Sequence, residues 1–159
     1  MKGYVCGGQF NAWHRHVQRN EYFSVAIVSK LLKVGGKYWV IRNYYDGTIL
    51  HHACKNKNVS VNMVVLKLLE VGGKKLVMMT DANGCTALHY ACKNNYVSVD
   101  IVSKLLKVGG KELVMMTDDT YRYTRYSALY WSLHKKRISV DIVLELIKVG
   151  GRELLMMKN

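Results

Sequence analysis

The chain repeats itself, and self-similarity at a near-constant period confines it to architectures made by stacking like units. Val-Gly-Gly occurs at 34–36, 71–73, 108–110 and 149–151, at spacings of 37, 37 and 41 residues. A second phrase alternates with it. It runs Thr48-Ile49-Leu50-His51-His52-Ala53-Cys54, then Thr86-Ala87-Leu88-His89-Tyr90-Ala91-Cys92, then a divergent Ser127-Ala128-Leu129-Tyr130-Trp131-Ser132-Leu133. One domain over residues 1–159 is expected. It divides into a degenerate unit at 9–47, complete units at 48–85 and 86–126, and a capping unit at 127–159.

Each unit carries the pattern of two helices. Thr86 is placed to cap the first or to open its first turn. Leu88, Ala91 and Cys92 mark a buried stripe at helical spacing. Asn94-Asn95 are expected to end it, since Asn tolerates the left-handed conformation. Ser98 caps a second helix with Val99, Val102, Leu105 and Leu106 on one face and Ile101 beside them. Asp100, Ser103, Lys104 and Lys107 fall on the other face, so this helix is amphipathic. Gly109-Gly110 are expected to stop it. The segment 111–118 that follows suits either a further helical turn or an extended arm. The pairs Met78-Met79, Met115-Met116 and Met156-Met157 suit adaptable filler between units. A helix pair cannot bury its apolar face alone, so the stack is the stable object. The first helix of the first unit matches poorly, with Phe10, Trp13 and Val17 among polar residues, whereas residues 25–34 match the second-helix pattern well.

Composition restricts the setting. Half of the 159 residues are hydrophobic, enough for a core, and no apolar run approaches the ~20 residues of a membrane helix. The N-terminus lacks an apolar run of signal-peptide length, so an intracellular protein, cytoplasmic or nuclear, is expected. Cys54 and Cys92 occupy equal places in two units, the pattern of small buried hydrophobes rather than of a disulfide framework. The net charge is +13, from 24 Lys and Arg against 11 Asp and Glu. The excess is spread along the chain, with 7 basic and 2 acidic residues over 1–47 and 6 and 3 over 127–159. Such a field favours acidic partners in general, although a basic solvated exterior is the plainer account of it.

The run Asp81-Ala82-Asn83-Gly84-Cys85-Thr86-Ala87-Leu88-His89-Tyr90-Ala91-Cys92 resembles the ankyrin-repeat signature, in which an aspartate-x-x-glycine turn leads into threonine-proline-leucine-histidine-x-alanine. The resemblance is strong over 48–126, extends to every second helix, and is weak over 1–23. It implies an all-α, ankyrin-type α-solenoid of about four helix-turn-helix repeats with short β-turn or extended finger loops. Three departures are visible. Ile49, Ala87 and Ala128 replace the family's proline. The repeat exceeds the family's usual length of about 33 residues. The turn before the last unit, 118–126, is four residues longer than its counterpart and lacks the glycine.

The resemblance also implies a protein-interaction scaffold that makes contacts through finger tips and the groove face of the first helices. Carried over by position, these are Ala82, Asn83 and Cys85 on one finger, with Lys93 and Asn94 on the adjoining helix. The earlier equivalents are Tyr44, Tyr45, Lys55 and Asn56, and the later ones are His134 and Lys135. The inserted loop adds Tyr121, Arg122, Tyr123 and Arg125, and Tyr and Arg are enriched at binding hot spots. A drifted turn whose tyrosines pack on the terminal unit is the alternative.

Chemistry is not expected. Cys85, His89 and Cys92 lack a fourth ligand for zinc, as does the group formed by Cys6, His14 and His16. His89 suits a structural ring that bonds backbone near the preceding turn. No nucleophile, base and orienting group fall together, and no Gly-Gly pair is followed by the Lys-Ser/Thr of a phosphate loop. No cofactor is expected, and no enzyme. The expected role is a non-enzymatic scaffold for a protein of acidic character. The alternatives are an electrostatic binder of nucleic acid or of an anionic membrane surface, and a purely structural repeat module.

Overall fold

The computed structural model describes residues 30, 33, 47–56, 61–119 and 124–157. The first unit, with its two expected helices, therefore lies almost wholly outside the described residues. The other units appear as three helix pairs. They are α1 (Ile49–Lys55) and α2 (Val61–Val77), α3 (Ala87–Lys93) and α4 (Val99–Val114), and α5 (Ala128–Leu133) and α6 (Val140–Leu155). Short helices pack on short and long on long: α1 on α3 on α5 in one layer, α2 on α4 on α6 in the other. Each pair also packs internally, so the core lies between the layers. Leu50, Leu68, Leu88, Leu105 and Leu146 are fully buried there. Each removes apolar surface worth about 2–3 kcal/mol from water.

The short helices start as expected. Thr48 and Thr86 are extended N-caps, and the histidine at the third helical position reaches back to each. His89 Nδ1 accepts the Thr86 N–H at 3.1 Å and lies 2.8 Å from its hydroxyl. His51 repeats this with Thr48 at 3.0 and 2.8 Å. In the third pair Tyr130 stands in the histidine's place, and Ser127 Oγ instead accepts the Tyr130 N–H at 3.3 Å.

The end of α3 differs from expectation. Asn94 is extended, with φ −84° and ψ 125°, rather than left-handed. Its side chain stops the helix by bonding across to the preceding pair. Nδ2 donates to the carbonyls of Cys54 at 2.9 Å and Asn56 at 2.6 Å, while Oδ1 accepts the Tyr96 N–H at 2.9 Å.

The Gly-Gly pairs also do something other than end a helix. The long helices run through them with a kink and continue for one more turn. In α4 the second glycine, Gly110, takes φ +65° and ψ −160°, a region closed to residues with a side chain. The first, Gly109, has no room for a Cβ, which would lie 2.5 Å from the Leu113 side chain. The pair thus folds the last turn back, and Leu113 and Val114 are fully buried. The segment 111–118 is accordingly a helical turn over 111–114 followed by a finger. Met78, Met79, Met115, Met116 and Met157 pack partly buried against the core, whereas Met156 is exposed.

Candidate protein-interaction surface

The fingers connect α2 to α3 and α4 to α5. Isolated antiparallel bridges, Thr80 to Thr86 and Thr117 to Ser127, close their bases. Within the first finger, Asp81 Oδ1 accepts the N–H groups of Asn83 at 2.9 Å and Cys85 at 3.0 Å, and Gly84 N–H bonds the Asp81 carbonyl at 3.1 Å. The Tyr90 hydroxyl donates to Asp81 Oδ2, and burial and this carboxylate raise the phenol's pKa well above its usual range. The tip, Ala82-Asn83, is exposed.

The second finger is organised by Asp118, which is fully buried. Its carboxylate accepts the Tyr126 N–H at 3.1 Å and the Trp131 indole N–H at 2.8 Å. Lys93 Nζ lies 3.6 Å away, and the Cys85 thiol donates at the same distance. The two fingers are joined by the Asp119 N–H, which donates to the Asn83 carbonyl at 2.8 Å. Arg125 is exposed and pairs with Asp119 at 3.2 Å.

The histidines tie fingers to helices. His51 Nε2 donates to the Cys85 carbonyl of the following finger at 3.0 Å. His89 Nε2 faces the equivalent backbone of Tyr126 and Met116 without forming a hydrogen bond of ordinary geometry. Burial lowers both imidazoles to a pKa of about 4, so they are neutral near pH 7. The same burial pushes the Cys54 and Cys92 thiols up to about 12, which suppresses thiolate reactivity.

Along the short-helix layer the basic and aromatic side chains interlock from one pair to the next. Lys55 of α1 sits 4.0 Å above the Tyr90 ring of α3. Lys93 of α3 sits 3.6 Å above Trp131 of α5 and 5.4 Å from Tyr90. Beyond them Tyr126, Tyr130 and His134 stack in a column at 3.8 Å spacing. Lys55, Tyr90, Lys93, Asn94, Asn95 and Tyr96 line a hollow of about 200 Å³. The stretches 48–60, 86–98 and 127–139, which hold the short helices and the loops after them, contain Lys55, Lys57, Lys93, Lys135, Lys136 and Arg137 and no Asp or Glu. Asp81 and Asp118 bind finger backbone through Oδ1, while Oδ2 meets the ladder itself, at the Tyr90 hydroxyl for Asp81 and at the Trp131 indole and Lys93 for Asp118.

The expected contact residues thus separate. Ala82, Asn83, Arg125 and His134 are exposed, and Lys55, Asn56, Lys93 and Lys135 are half-buried along the same face. Cys85 and Asn94 are buried, at 1% and 8% exposure, because the finger closes over the thiol and the amide bonds the preceding helix end. Their side chains are therefore enclosed rather than presented at the surface where the expectation places them. Tyr44, Tyr45, Tyr121, Arg122 and Tyr123 lie outside the described residues. Tyr90 and Trp131 were not among the expected residues, although a signal existed. The basic residue seven positions after each capping Thr, Lys55 and then Lys93, is answered in the next unit by an aromatic four positions after its cap.

Comparison with known families agrees with this architecture. A model of the family described as ankyrin repeats (3 copies) matches residues 13–117 and again 60–154. Together these matches cover most of the chain, which belongs to the ankyrin-repeat family. Neither the curated proteins nor the solved structures show a match to it. Ankyrin repeats are generally non-enzymatic protein-interaction modules. Among the described residues no helix is long and apolar enough to cross a membrane.

Proposed function

We propose that the protein is a scaffold that holds a partner protein of acidic character against its fingers and short-helix face. The observation that carries this reading is the Lys55–Tyr90–Lys93–Trp131 ladder, held by short helices and following loops whose sequence has no Asp or Glu, with the Asp118 that pairs with Lys93 fully buried. Rigid helices fix these groups before a partner arrives, which limits the ordering cost of binding. Ala82, Asn83, Arg125 and His134 flank the ladder and read the partner's shape. Lys55, Asn56, Lys93 and Lys135 supply charge and hydrogen bonds. Tyr44, Tyr45, Tyr121, Arg122 and Tyr123 are assigned to the same contacts by their sequence positions alone.

Affinity capture at two salt concentrations, with wild type beside Lys55→Glu, tests the proposal. A defined set of acidic proteins should remain bound to the wild type at physiological salt and be lost from the variant. Capture of nucleic acid alone, or capture unaffected by the variant, would overturn it.

A further inference from the structure

A second hollow, of about 260 Å³, lies where the loop after α3 meets the loop after α5, lined by Asn95, Tyr96, Lys136 and Arg137. These lining residues all belong to the loops that join short to long helices. It shares Asn95 and Tyr96 with the hollow lined by Lys55, Tyr90 and Lys93. Tyr96 is 56% exposed although large and aromatic, and Lys136 and Arg137 are exposed beside it. Ring, ammonium and planar guanidinium around one concavity suit an anionic group carried on a short stem. The guanidinium fork matches carboxylate or phosphate geometry, and the ring covers the stem.

We infer that this Tyr96–Lys136–Arg137 depression is a binding site for an acidic peptide segment, entered from the loop edge rather than from the fingers. The inference rests on the scaffold reading and assigns the partner's anionic segment to a second place. An acidic peptide is the occupant that matches both the two adjacent cations and the protein-interaction family, because the stretches 86–98 and 127–139 that line the site hold no Asp or Glu. A nucleic acid is the competing occupant that the test includes.

The test uses the full chain and three labelled probes of 12 residues or nucleotides: a glutamate–serine peptide, the same peptide with its serines phosphorylated, and a single-stranded RNA. Binding is read by fluorescence anisotropy at physiological salt for wild type, for Lys136→Glu combined with Arg137→Glu, for Tyr96→Ala and for Lys55→Glu. Thermal melts check that the variants fold. The double variant should weaken peptide binding at least tenfold with an unchanged melt, Tyr96→Ala should weaken it less, and RNA should bind more weakly than the peptides. Tighter binding of one peptide identifies phosphate or carboxylate as the preferred group, and either supports the site. Peptide binding lost in Lys55→Glu but intact in the double variant would overturn the second site and leave the scaffold reading standing. No binding of either peptide by wild type, or RNA bound most tightly, would overturn both.

Discussion

Lys93 shows how a residue's role changes once its neighbours are known. Sequence position alone makes it a solvated lysine at the end of a short helix, and Lys93→Ala would then cost nothing. In the structure its ammonium lies between the Trp131 ring and the buried Asp118 carboxylate, and its side chain is 26% exposed. Lys93→Ala should therefore destabilise the protein by about 1 kcal/mol, the scale of a partly desolvated cation–π contact. Asp118→Ala should cost about 3 kcal/mol, since it strands the Tyr126 and Trp131 N–H donors as well as Lys93. Urea denaturation of the two variants measures both, and equal losses would show that the carboxylate acts only as the lysine's counter-ion. The difference in what could be foreseen has a physical cause. The Thr86–His89 cap is a contact within one helical turn, so the order of residues specifies it. Lys93 meets Asp118 and Trp131 across the boundary between units, where finger length decides who meets whom. Asn94 was misplaced for the same reason, because its partners, the Cys54 and Asn56 carbonyls, belong to the preceding unit.

At the scale of the element, the kinked long helix carries the lesson. Paired glycines usually end helices, so a stop at Gly109-Gly110 was the natural expectation. The repeat was nonetheless longer than its family's norm, and part of the extra length is the turn that follows the kink. Leu113 fills the space above Gly109, and Gly110 adopts a backbone conformation that only glycine takes easily. The amphipathic period was readable through Leu106, but the change of direction breaks its phase, so the helix beyond it was not. Gly110→Ala should cost about 1–3 kcal/mol through backbone strain. Gly109→Ala should cost at least as much, because its new Cβ would meet Leu113 Cβ and Cδ2 at 2.5 Å and must displace a packed side chain. Leu105→Ala and Leu88→Ala should each cost about 2–5 kcal/mol by leaving a cavity between stacked pairs. Ser103→Ala, at a half-buried position bonded to Glu145, should cost less than 1 kcal/mol. If thermal melts rank Ser103→Ala with the glycine variants, the folded-back turn is not held as described.

For the whole molecule, stability depends on how one unit is fastened to the next, and part of that fastening titrates. His51 bonds its own cap through Nδ1 and the next finger through Nε2. His89 holds its cap in the same way and is equally enclosed. Burial depresses both from the usual 6.5 of a free imidazole to about 4. A depressed histidine stays neutral in the folded chain while the unfolded chain takes up a proton. Its stabilising effect is therefore complete above pH 6.5 and is lost progressively as the pH falls toward 4. At pH 5 the loss is about 2 kcal/mol for each histidine, and below pH 4 it approaches about 3 kcal/mol. Two such groups amount to a large share of the ~5–15 kcal/mol typical of a folded domain. The stack should thus loosen in mild acid, with the steepest decline between pH 6 and 4.5. Equilibrium urea unfolding at half-unit pH steps measures the slope. His89→Gln should be less stable at pH 7 yet lose about half as much on acidification, because one titrating group is gone. A wild-type stability that is flat from pH 7 to 4.5, or a variant with an unchanged slope, would show that the buried imidazoles do not govern how the units are held together.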